Sequence, residues 1–296
     1  MIKRSTFKSP YLPYLLILPQ IVITLTFFYW PAVQGLIQST LLSDPFGQSS
    51  KFVWFYNYIE IFTDPLYLQS ILITFIFSLS VASVSIALGL FIATMANRAL
   101  RATALVRTLL IWPYAVAPAI SGILWLFLLH PSYGIVALAI NSWFGLDWNP
   151  VLKGTDAMVM ITMAAAWKQI SYNFVFFMAG LQAVPKSLIE AAAIDGASPL
   201  KRFWRITFPL LSPTFFFLSV MNVIYSFFET FGVIHTVTQG GPGGSTNILV
   251  YKVYQDGFVG LNLGSSSAQS VVLMSLIVTI TVLQFRYVEK KVQYTG

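Results

Sequence analysis

The sequence predicts an all-α, polytopic membrane protein with six transmembrane helices, and three observations carry that prediction. Hydrophobic residues fill 57% of its 296 positions and charged residues 9%, where a soluble domain carries about 25% charged residues. The apolar residues fall in runs long enough to cross a hydrocarbon core as helices, which takes roughly 20 residues each. Lysine and arginine are segregated to alternate loops. Nothing alternates with period two over about ten residues, as the strands of a transmembrane barrel would.

The runs divide one membrane domain, 1–296, into spans at about 12–33, 69–94, 106–129, 157–180, 208–234 and 266–286. The first follows a basic start and has an apolar core, which are also the marks of a signal peptide. Its core is long, however, Pro19 and Pro31 interrupt it, and no clear small-residue cleavage site follows, so a retained span is expected. The second span has no charged residue. The third carries Pro113 and Pro118 in Trp112-Pro-Tyr-Ala-Val-Ala-Pro118. Proline removes helical hydrogen bonds and kinks the chain, and the freed carbonyls need partners inside the protein. Such a kink serves either architecture or a moving helix. The fourth and fifth spans hold Lys168 and Glu229.

Orientation follows from the basic residues. Lys3, Arg4, Lys8, Arg98, Arg101, Arg107, Lys186, Lys201, Arg202, Arg205, Arg286, Lys290 and Lys291 fall on one side, and Lys51, Lys153 and Lys252 on the other. Both termini and the 185–209 loop are therefore expected in the cytoplasm. The net charge of +7 reflects this asymmetry and attraction to anionic lipid, not nucleic-acid binding. The opposite loops, about 34–68, 130–156 and 235–265, carry Asp44, Glu60, Asp64, Asp147, Asp156 and Asp256. They also carry the aromatics Phe46, Trp54, Phe55, Tyr56, Tyr58, Trp143, Phe144 and Trp148. These aromatics form either an interfacial belt or a docking surface for an extracellular protein. Gly240-Gly241-Pro242-Gly243-Gly244 is a turn signal after the fifth span.

Several chemistries are missing. There is no phosphate-binding Gly-x-x-x-x-Gly-Lys-Ser/Thr loop, no Gly-x-Ser-x-Gly elbow and no His-Glu-x-x-His. No cysteine is present, and His130 and His235 stand apart as interface residues. No catalytic residue, metal or bound cofactor is expected of this chain.

Two stripes of polar residues lie at membrane depth. Lys168, Gln169, Tyr172 and Asn173 share one helix face of the fourth span by spacing, and Asn222, Ser226, Glu229 and Thr230 one face of the fifth. Such residues either bond helices together or line a water-filled path. Lys168 and Glu229 are candidates for an ion pair.

Between these spans lies a charged helix-turn-helix, 185–209. Ser187 and Glu190 read as a capping box that opens a helix. Gly196 closes it in the left-handed conformation. Ser198 and Pro199 open a second helix bearing Lys201, Arg202 and Arg205. So defined a motif in a loop is a grip for a soluble partner.

The pattern Glu190, Ala191, Ala192, Asp195, Gly196, Ala197, Phe203, Ile206 and Pro209 resembles the coupling loop of type I ABC importer permeases of the sugar and polyol uptake group. Phe208 departs mildly from that pattern, and Thr238-Gln-Gly-Gly-Pro242 matches a second signature of the group. Within it, Tyr14-Leu-Leu-Ile-Leu-Pro-Gln20, Ser43-Asp-Pro-Phe-Gly47, Trp112-Pro-Tyr-Ala-Val-Ala-Pro118, Trp167-Lys-Gln-Ile-Ser-Tyr-Asn-Phe174, Ala268-Gln-Ser-Val-Val-Leu-Met274 and Gln284-Phe-Arg-Tyr-Val-Glu289 are most similar to A-type permeases of sn-glycerol-3-phosphate uptake.

The resemblance implies the type I permease fold in a bacterial inner membrane. It implies assembly with a second homologous permease, two ATPase subunits that use ATP and Mg, and a periplasmic or lipid-anchored substrate-binding protein. It implies ATPase coupling through Glu190, Ala191, Ala192, Asp195, Gly196, Ile206 and Pro209, and a translocation path along the two stripes. The substrate implied is glycerol-3-phosphate or a related glycerophosphodiester; a neutral sugar or polyol is the alternative.

Overall fold

The computed structural model of the chain describes residues 11–44, 49–98 and 104–291. Lys3, Arg4, Lys8, Phe46 and Arg101, named above, lie outside the described residues. The chain divides into two compact units, one of residues up to Thr63 with Val253–Val272, the other of Asp64–Lys252 with the residues from Leu273 onward.

The first unit opens with helix α1, Leu12–Gln38, 27 residues long, or about 40 Å at 1.5 Å per residue. Pro19 and Pro31 do not break it. A π turn, Leu25–Tyr29, stands just before Pro31, and this widened turn makes room for a ring that would otherwise strike the carbonyl four residues back. A short hairpin follows, β1 (Leu41–Ser43) against β2 (Ser50–Phe52), antiparallel with Leu41 opposite Phe52. Helix α2, Tyr56–Thr63, is tied to it by the fully buried Asn57. The Asn57 amide nitrogen donates to the carbonyls of Ser39 and Leu41, both at 2.9 Å. The Tyr58 hydroxyl donates to the Ser39 hydroxyl at 2.7 Å, so Tyr58 serves local packing, while Trp54 and Phe55 remain exposed.

In the second unit, helix α3 runs over Pro65–Arg98. Asp64 caps its start, its carboxylate accepting from the Leu66 amide at 2.9 Å. Helices α4 (Ala104–Ala115) and α5 (Pro118–Leu129) follow, then α6 (Ile135–Phe144) and the 30-residue α7 (Gly154–Ala183). Two short helices, α8 (Lys186–Ile194) and α9 (Pro199–Leu210), lead into α10 (Ser212–Glu229) and α11 (Phe231–Val237). Helix α12 (Leu249–Tyr254) and helix α13 (Leu263–Val288) follow, their residues within Val253–Val272 belonging to the first unit, and a 3-10 turn over Glu289–Lys291 ends the described chain.

Among the described residues, α1, Pro65–Asn97 of α3 and α13 are each long and apolar enough to cross a membrane. Three bent pairs bring the number to six if each pair crosses as one. The stretch read as a third span, with a kink expected at its prolines, is α4 and α5 meeting at 105°. Pro118 supplies no amide to the turn before it and forces Ala117 into the extended region (φ −60°, ψ 143°). The stretch read as a fifth span is likewise divided, at Leu211 and Thr230.

The interior of this unit forms where α3, α7 and α10 meet, around Ala93, Phe174, Phe177, Met178, Leu181, Leu211 and Leu218. The helices approach closely at glycine: a β-carbon on Gly89 would lie 2.6 Å from the β-carbon of Asn173. Leu72, Leu79 and Phe91 of α3 stay exposed. In a bilayer that carries no penalty, because lipid tails are as apolar as leucine.

Candidate coupling element and polar wall

The 185–209 segment folds as two short helices around a sharp turn, and its local chemistry differs from expectation at one end. Helix α8 starts at Lys186, with Pro185 as its N-cap and no side-chain cap bond. The capping box read from Ser187 and Glu190 does not form. Pro185 pushes Val184 into the extended region (ψ 124°), and Pro185 is itself extended. The helical turn therefore opens one residue before Ser187, whose hydroxyl falls inside the first turn.

The other end closes on Gly196, at φ +76°. The Ala197 amide donates to the Ala192 carbonyl at 2.9 Å and the Gly196 amide to the Ala193 carbonyl at 3.1 Å, the two bonds of a Schellman motif. The Ser198 hydroxyl then accepts from the Lys201 amide at 3.4 Å, with Pro199 in the first turn of α9. A guanidinium nitrogen of Arg202 lies 3.5 Å from the Ile189 carbonyl and joins the two helices. Behind them is a cleft of about 380 Å³ that also takes in Thr94, Asn97 and Leu181.

Glu190, Ala191, Asp195 and Gly196 are exposed on this knuckle, and Ala192, Ile206 and Pro209 are half-buried. Ile194 is 87% exposed and Leu200 69% exposed. Both apolar side chains stand out from the turn. From there Trp204, Phe208 and Phe215 pack ring to ring, 5.1 Å and 5.6 Å between centroids. That ladder runs directly into α10.

The two polar stripes separate into buried and accessible parts. Asn173 and Asn222 are fully buried and bond to each other, Asn222 Nδ2 to Asn173 Oδ1 at 2.8 Å and Asn173 Nδ2 to Asn222 Oδ1 at 3.3 Å. The Ser85 hydroxyl donates to Asn222 Oδ1 at 2.7 Å, and Ser78 pairs with Ser226 at 2.6 Å. Thr230 turns back on its own helix, donating to the Ser226 carbonyl at 2.9 Å. These residues fasten α3, α7 and α10. Gln169 is buried, Tyr172 is half-buried and Glu229 is exposed.

Glu229 leaves its stripe because Tyr225–Glu229 is a π turn. The wider i→i+5 turn falls behind α-helical periodicity by about one residue. Thr230 thereby rejoins the buried face of Asn222 and Ser226, while Glu229 swings out. Lys168 makes no ion pair with it among the described residues: the Lys168 ammonium donates instead to the Val116 carbonyl, in the break between α4 and α5. Sequence reading missed Ser78, Ser85 and Gly89, the α3 side of this wall. Their spacing, i, i+7 and i+11, was the available signal, since it places three small residues on one helix face. It missed the Val116 carbonyl too, for which no residue pattern exists.

Apolar helices with a buried polar wall and an exposed helical knuckle define a polytopic membrane protein. The chain belongs to the family of inner membrane components of binding-protein-dependent transport systems, whose model matches residues 85–294. It is 56% identical over 292 residues to the sn-glycerol-3-phosphate transport system permease protein UgpA of Rhizobium meliloti (strain 1021), which covers 99% of both chains. It is 51% identical over 291 residues to UgpA of Yersinia pestis, covering 98% of each. In fold it matches the crystal structure of a bacterial ABC transporter involved in import of the acidic polysaccharide alginate. That match has a TM-score of 0.82 at 21% identity and covers 95% of this chain and 96% of the other.

Proposed function

We propose that the chain is the permease subunit of an ATP-driven importer for sn-glycerol-3-phosphate or related glycerophosphodiesters. The observation that carries the reading is identity above half, along the full length, to permeases of that substrate. Its partners are a second homologous permease, two ATPase subunits and a periplasmic or lipid-anchored substrate-binding protein. A related alginate transporter has been crystallised in complex with its periplasmic protein. Both termini and the 185–209 knuckle face the cytoplasm of a bacterial cell. The chain hydrolyses no nucleotide itself: ATP and Mg belong to the ATPase subunits, whose closure pushes on α8 and, through the Trp204–Phe208–Phe215 ladder, on α10. The translocation path runs past the wall of α7 and α10, where Tyr172 and Glu229 offer accessible surface.

A specific observation favours the alternative, a neutral sugar or polyol importer. Glu229 is an exposed carboxylate on that wall, and a phosphate ester carries between one and two negative charges near neutral pH. Uptake of radiolabelled glycerol-3-phosphate by cells expressing the whole importer separates the two. Competition by unlabelled glycerol-3-phosphate but not by maltose is expected. Competition by maltose or glycerol alone would move the assignment to neutral substrates.

A further inference from the structure

We propose that Lys168 is a positioning residue, the pin that fixes the 105° break between α4 and α5, and not a ligand for the transported molecule. The break spans Val116 and Ala117. In an unbroken helix the Val116 carbonyl would accept from the amide four residues on, so the bend leaves it without its helical partner. A bare carbonyl at membrane depth costs several kcal/mol. The Lys168 ammonium is its donor, and with 6% of its surface exposed the lysine has little left to offer a passing substrate. A charge-assisted donor is roughly twice as strong as a neutral one, which suits a bond that must hold a helix at nearly a right angle.

The surroundings have the form of a clamp. The Trp167 ring, beside Lys168, stands edge-on to Trp112 of α4 at 5.6 Å and to Trp125 of α5 at 6.3 Å. The Ser121 hydroxyl of α5 donates to the Ala164 carbonyl of α7 at 3.1 Å. Helix α11 also lies against the start of α5: a β-carbon on Gly232 would come within 3.2 Å of the Ala119 nitrogen. Helix α5 is thus held by α7 and by α11. The hinge-side end of α4 is held by the tryptophan contact, by the Tyr114–Tyr172 ring contact and by Lys168. Of these, only the lysine acts on the break itself. Removal of the ammonium leaves the Val116 carbonyl unpaired and lets the angle between α4 and α5 relax.

The test uses the natural absence of cysteine. Spin labels at Leu109 and Leu124, both exposed, report the α4–α5 distance in the purified importer complex. Lys168→Met is expected to shift or broaden that distance, and Lys168→Arg to preserve it. The turnover arm rests on the permease reading: Lys168→Met is expected to lower maximal uptake about tenfold with half-saturation within about twofold of wild type, and Lys168→Arg to recover most of the rate. An unchanged distance in Lys168→Met overturns the proposal, as does a half-saturation that rises while maximal uptake holds. If Lys168→Met fails to insert, Lys168→Arg carries the test alone, and a shifted distance in it overturns the proposal. Failure of the permease reading would show instead as absent uptake by the wild-type complex, with the distance measurement unaffected.

Discussion

Gly196→Pro is expected to abolish stimulation of the importer's ATPase by loaded binding protein while leaving the complex assembled. The residue sits at φ +76°, and proline is locked near −65°. Its amide also closes the turn by donating to Ala193 at 3.1 Å, and proline has no amide hydrogen. Both losses fall on one residue, at a local cost of about 3 kcal/mol or more, so α8 and α9 no longer meet at a fixed angle. A β-carbon at Gly196 meets nothing within 4 Å, so the strain is in the backbone and not in packing. Gly196→Asn is therefore expected to retain most of the stimulation, because asparagine tolerates the left-handed region. ATPase assays of reconstituted complexes with and without loaded binding protein read both variants. Equal loss in the asparagine and proline variants would point to the side-chain surface at this turn, not to its geometry.

Asn222→Leu is expected to destabilise the bundle of α3, α7 and α10. Asn222 donates to Asn173 Oδ1 and to the Leu218 carbonyl, at 2.8 Å and 2.7 Å, and accepts from Ser85. Leucine is close in size but strands the buried Asn173 amide, while the Ser85 hydroxyl keeps the Val81 carbonyl at 2.6 Å, a loss of about 1–3 kcal/mol. The melting midpoint of the purified chain in detergent is expected to fall by several degrees, about 2–4 °C per kcal/mol. The double variant Asn173→Leu/Asn222→Leu is expected to recover part of that loss, since two apolar partners leave fewer groups unpaired than one. A double variant less stable than either single change would mean that packing volume, not hydrogen bonding, sets the cost.

Much of this architecture was legible in the sequence, for physical reasons that differ from place to place. Long apolar runs disclosed the membrane helices because a bilayer imposes length. The Gly196-Ala-Ser198-Pro199 turn was legible because each residue has a narrow conformational role there. The start of α8 was not: Ser187 and Glu190 have the spacing of a cap, but the extended Val184-Pro185 pair sets the boundary first. Glu229 was grouped with Asn222, Ser226 and Thr230 because a uniform 3.6-residue period was assumed, and the π turn at Tyr225–Glu229 breaks that period. Side-chain patterns contain no backbone carbonyls, so the sequence offers Lys168 only an acidic side chain as partner. Its partner, at Val116, exists only once Pro118 has broken the helix.

In the proposed importer, α8 is the point at which an ATPase subunit grips this permease. A single cysteine in place of Ile194, which is 87% exposed at the tip of that helix, tests it in a chain with no other cysteine. A short photoactivatable cross-linker on that cysteine, in the assembled importer, is predicted to join this chain to an ATPase subunit with a yield that changes when ATP is bound. A cross-link to the substrate-binding protein, or none to the ATPase in a complex that still transports, would contradict it.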